Sequence, residues 1–137
     1  MSKFGKYAIL EDIVHTFEKE SDWTWTIKPV TMAADTAMAQ FMSAERAVQL
    51  ADGTRLYRPV TTQEIALREI ALTFRSTTVK GDDGKPILPE DATVAQVEAV
   101  LGEMPLAMVM ELWQAVGKAC PPWGPVMQDE AKTKKSK

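Results

Sequence analysis

From Trp23 to Lys28 the chain alternates strictly, with Trp23, Trp25 and Ile27 on one side and Thr24, Thr26 and Lys28 on the other. A period of two in aromatic and β-branched residues marks a strand with one buried face, and Pro29 ends it or confines it to a sheet edge. Upstream the period changes. Tyr7, Leu10, Ile13, Val14 and Phe17 recur close to i, i+3, i+4, i+7, while Glu11, Asp12, His15 and Glu18 fall largely elsewhere on the wheel. That spacing predicts a helix over Lys6–Glu20, although Tyr7–Val14 also reads as extended.

Downstream, Thr31 suits an N-cap, with Asp35 near the positive end of the helix it opens. Ala34, Met38, Phe41, Met42, Glu45 and Val48 share a stripe that runs to the turn dipeptide Asp52-Gly53. Residues 54–60 are short and β-like, and are expected to pair with the first strand as far as Pro59 allows. Thr61 and Glu64 have capping-box spacing ahead of a helix whose apolar face is Leu67, Ile70, Ala71 and Phe74. Ser76–Val79 favours an extended chain, and Lys80–Pro86 is loop by composition. Thr93 and Gln96 form a second capping-box pair, before Val94, Val97 and Leu101. Pro105 then fits a first helical position, with Leu106, Val109, Met110, Trp113 and Val116 on one face. Pro121–Pro125 stops regular structure, and Trp123 is expected to staple this segment to the body. The pattern therefore predicts a mainly α fold: one small helical domain over residues 1–126 with a short two-stranded β element, then a disordered basic tail over 127–137.

At 137 residues the chain has room for one core. Its apolar stretches are far short of the roughly 20 residues that span a bilayer, and Met1–Tyr7 lacks the apolar run of a secretory signal. A single cysteine, Cys120, is expected in a reducing compartment, which makes the cytoplasm the expected location. The formal charge of −3 becomes −7 once the four lysines of residues 131–137 are set aside. An acidic body argues against nucleic acid, since phosphate contacts need clustered Lys and Arg.

No residue pattern calls for catalysis, a metal or a cofactor. His15 is the only histidine, and beside Glu11 and Glu18 it reads as a solvated surface residue. Cys120 has no local base to activate it and reads as a small buried or incidental thiol. Asp82, Asp83, Glu90 and Asp91 miss the spacing of a calcium loop and read as a surface turn. No phosphate-cradling glycine pattern occurs. Methionine stands out: of eight, six cluster as Met32, Met38, Met42 and Met104, Met108, Met110. Flexible, polarizable side chains either fill an irregular core or form an adaptable binding face. Met38, Met42 and Met108 are the candidate protein-binding residues, Met108 because it falls off the apolar stripe of its helix.

Several stretches together resemble the tail-assembly chaperones of long-tailed bacteriophages: WTWTIKPVTMAAD, then QEIALREIALTF followed by KGDDGKPI, then MPLAMVMELWQAVGKACPPWGP. The likeness covers most of residues 23–125 and lies in order and texture rather than in a diagnostic motif. It implies a helical, non-catalytic protein of the host cytoplasm, absent from the mature virion, that coats the phage tape-measure protein and recruits tail-tube subunits. Self-association is left open. Two other readings remain: a structural minor tail or head-tail joining protein of the particle, and a small bacterial adaptor domain.

Overall fold

The computed structural model describes residues 11–44 and 46–125. Their elements run β1 (Ile13–Phe17), β2 (Glu20–Ile27), α1 (Met32–Ser43), β3 (Arg46–Gln49), β4 (Arg55–Arg58), α2 (Thr62–Leu72), β5 (Phe74–Thr77), α3 (Val94–Leu101) and α4 (Leu106–Ala119). The mainly α expectation is overturned. The fold is mixed α/β, with four helices and a three-stranded antiparallel sheet in the order β1-β2-β5, beside a separate β3–β4 hairpin. The expected tail over 127–137 lies outside the described residues.

The strand expected from the Trp23–Lys28 alternation is β2. The helix over Lys6–Glu20 does not form where the chain is described, because Ile13–Phe17 pairs with β2 in the register Ile13↔Ile27, Val14↔Thr26, His15↔Trp25. Spacing alone misleads here, since Ile13, Val14 and Phe17 suit either period. Three β-branched residues, Ile13, Val14 and Thr16, and a long partner strand settle it toward the hairpin. Residues paired directly across antiparallel strands share a face. Ile13 and His15 therefore join Trp25, Ile27 and Thr77 on the inner face, and Thr16, Thr24 and Thr26 line the outer one, while Phe17, past a bulge, turns its side chain into the core. Trp25 meets Phe74 edge to face, with ring centroids 5.0 Å apart, a geometry that aligns the ring quadrupoles favourably.

Among the described residues the helices pack on the inner face. α4 packs on β1 and β2, and α2 packs on both α3 and α4. Trp25, Ile27, Phe74, Ile70, Val97, Leu101, Leu112 and Val116 meet there in one core, each almost fully buried. Both capping boxes form as expected, Thr61 with Glu64 and Thr93 with Gln96. Thr31 caps α1 by accepting the Ala34 N–H. Pro105 sits one position earlier than expected, at the N-cap of α4. α2 stops at Leu72 rather than reaching Phe74, which joins the sheet as the first residue of β5.

The second correction concerns residues 44–60. α1 ends at Ser43, and the stripe beyond it becomes β3, paired with β4 from Arg46↔Arg58 to Gln49↔Arg55. Thr54–Val60 was expected to pair with the first strand, a place that β5 takes. Asp52-Gly53 is the hairpin turn, not a helix stop. Gly53 takes φ +89° and donates its N–H to the Leu50 carbonyl, while Asp52 Oδ1 accepts the Thr54 N–H at 2.9 Å. Such a turn needs the left-handed conformation that glycine supplies without steric cost.

Candidate functional site

α4 divides two grooves. On one side it faces α2, and the cleft between them, about 490 Å³, is lined by Ala66, Leu67, Leu101, Met104, Leu106 and Met110, with Thr62 and Gln63 at one end. Among the described residues no charged side chain lines it. Trp113 and Val109 form the buried floor, and Leu106, on the first turn of α4, stays 69% exposed at the rim. Ala66 explains the depression: a small side chain on the α2 face leaves space that a Leu would fill.

On its other side α4 faces the β1–β2 turn across a groove of about 370 Å³. Phe17, Trp23, Met108 and Met110 make the apolar part, and Glu18, Glu20 and Glu111 carry the charge, with Lys19 between the first two. Met110 lines both grooves. Glu111 fastens this side: its Oε2 lies 2.6 Å from His15 Nε2 and accepts the Glu18 N–H at 3.0 Å. A carboxylate only accepts, so the imidazole Nε2 carries the proton of this bond. His15 is thus half-buried between β1 and α4, not a solvated residue of a helix surface.

The third feature is the seat of the C-terminal segment. Glu69, buried on α2, accepts the Trp113 indole N–H at 2.7 Å and the Gly124 N–H at 2.8 Å, both on Oε1. Burial raises its carboxyl above the ordinary range, against the pull of those two donors. Trp123 packs partly buried against the core, its indole N–H 3.4 Å from Asp35 Oδ1, so the expected staple is present. Cys120 is buried, and burial raises its thiol as well, which opposes thiolate formation.

The three methionines singled out from sequence are not brought together. Met38 is 4% exposed, so it is not available to a partner. Met42 is half exposed on α1 and lines neither groove. Met108 lines the acidic-rimmed groove, half-buried. The α2–α4 cleft instead uses Met104 and Met110, members of the same sequence cluster. Met110 was passed over because it lies on the apolar stripe. The stripe, however, is wider than the core it covers near the start of α4, which leaves Met110 and Leu106 at the edge.

Among the described residues no helix is long and apolar enough to cross a membrane, and no group of three or more His, Cys, Asp or Glu is placed to hold a metal ion. No family model, curated protein or solved structure matches the chain.

Proposed function

We propose that this protein is a non-catalytic assembly chaperone that holds an amphipathic helix of its client in the α2–α4 cleft. The observation that carries this reading is the cleft itself: an uncharged trough with methionines on its walls and an exposed leucine at its lip. A helix presenting apolar residues at i, i+3 or i+4, and i+7 buries that stripe in such a groove. Methionine walls re-pack around different side chains at small cost. A client with many such stripes in series would be held by many weak contacts, each reversible.

The tail-assembly class follows from the textural resemblance over residues 23–125, with the tape-measure protein as client and the tail-tube protein as the subunit recruited. The protein then acts in the host cytoplasm and leaves before the virion is complete. The sheet is no part of what that resemblance implies, so the reading rests on the helices and the cleft. Co-expression of the tagged protein with its genomic neighbours, followed by pull-down and mass spectrometry, tests it. The expected result is recovery of a long, helical, otherwise insoluble protein, lost on Leu106→Asp. Finding the protein in purified particles, or capture that is indifferent to Leu106→Asp, would overturn it.

A further inference from the structure

The β3–β4 hairpin stands apart from the sheet. Among the described residues its strands pair only with each other, and a bidentate ion pair of Arg58 with Glu64 ties it to the body. A lone two-stranded hairpin is marginal in water, and both of its edges are open to pairing. Even so, it exposes apolar side chains: Leu50 is 40%, Leu56 52% and Tyr57 58% exposed. Its charge also differs from that of the rest of the molecule. Residues 46–58 hold three arginines and one acid, net +2, against −5 for the remainder of the chain.

The groove between the β1–β2 turn and α4 has the opposite character. Residues 11–22 carry five acids and one lysine, and three carboxylates, Glu18, Glu20 and Glu111, border a floor of Phe17, Trp23 and Met108. Glu111 is committed to His15 and the Glu18 N–H. The Glu18 and Glu20 side chains lie on the exposed lip. On β4, alternation places Arg55 and Tyr57 on one face. One cation and one aromatic ring two residues apart match carboxylates beside an apolar, methionine-containing floor.

The geometry points to a second copy of this chain as the occupant of that groove: the Arg55–Tyr57 face of one molecule's hairpin docks between the β1–β2 turn and α4 of another. Tyr57 covers the Trp23–Met108 floor, and Arg55 meets Glu18 and Glu20. Hairpin and groove are different surfaces, so the contact pairs unlike patches. This is independent of the client reading, because no client is needed to observe it.

Sedimentation velocity of the full chain over a concentration series tests it. Wild type self-associates, and the association weakens at about 1 M salt, where the screening length falls to roughly 3 Å. Tyr57→Ser and Glu20→Lys each weaken it at least tenfold while circular dichroism stays that of wild type, since both positions are exposed. Arg55→Glu and Glu20→Lys, each defective alone, associate when mixed, because the reversed pair restores the charge match. A chain that stays monomeric at every concentration overturns the proposal. So does association that both single variants leave intact, or a hairpin variant that associates normally and loses only a foreign partner.

Discussion

Glu69 and Trp113 lie 44 positions apart in sequence, and the indole N–H donates to the buried carboxylate at 2.7 Å, tying α2 to α4 from inside the core. The same oxygen holds the Gly124 N–H, so one side chain joins two helices and the segment that follows them. Removing it strands two donors. Glu69→Ala is expected to cost about 2–4 kcal/mol by urea unfolding, and Glu69→Gln less, because the amide oxygen still accepts. A loss under about 0.5 kcal/mol for Glu69→Ala would mean that water satisfies those donors without strain.

The pH dependence of that difference has a definite sign. Burial raises the folded carboxyl of Glu69, so its contribution is full below the ordinary carboxylate range and is lost as pH rises through the raised value. Wild type should therefore lose stability relative to Glu69→Gln as pH climbs from about 4 toward neutrality. A difference that is flat across this range would show the carboxyl to be unshifted.

Glu64 behaves oppositely. A bidentate pair with Arg58, at 3.0 Å on each side, and the Thr61 N–H pull its carboxyl down to about 2. Its contribution is present above the ordinary range and is lost as pH falls toward that value. Carbon-detected titration should place Glu64 well below the ordinary carboxylate range. Glu64→Gln should speed amide exchange at Leu50 and Leu56, because the hairpin loses a tether. An ordinary Glu64 titration would remove the basis for both expectations.

Gly124 and Gly117 meet backbone to backbone. Gly124 takes φ +98°, and a Cβ there would sit 2.3 Å from the Gly117 Cα. Gly124→Ala is expected to cost about 2–4 kcal/mol through left-handed strain plus the clash, and to release Trp123 from its seat. Thermal melting with Trp123→Phe as the reference isolates the contribution of the seat. An unchanged melting temperature would place this segment elsewhere.

For the cleft, Leu106→Asp should leave stability within about 0.5 kcal/mol of wild type, because the side chain is largely exposed. Met110→Ala should cost more, since Met110 is half-buried and packs against the core. Client retention should fall in both. Retention that tracks stability instead of the cleft would point to a general folding defect.

Local signals carried most of what could be read from the chain. The caps at Thr31, Thr61 and Thr93 and the Trp23–Ile27 alternation depend on neighbours a few residues away, and they were legible. The failures came where a segment's state is set by a distant or ambiguous partner. Ile13–Phe17 fits a helical wheel and becomes a strand because β2 lies beside it. Val48 continues a helical stripe yet pairs with Leu56. His15 and Glu111, 96 positions apart, gave no joint sign. The methionine cluster at 104–110 does border a cleft, but which of its side chains line the α2–α4 side was not legible, since exposure is decided by where the core ends.

Arg68 has a mechanical consequence. Its guanidinium lies 4.1 Å above the Phe41 ring of α1 and 2.6 Å from a carboxylate oxygen of Glu98 on α3. Only a flat cation can offer a face to one neighbour and an edge to another in the same instant. α1 places no residue in the main core, with Met38 buried outside it, so its stiffness depends on side-chain ties such as this plate and the Trp123 indole on Asp35. The rest of the molecule is a body held by volume. α1 is a spar held by rivets, and force applied at Phe41 is delivered through Arg68 to α3, at whose end the cleft begins.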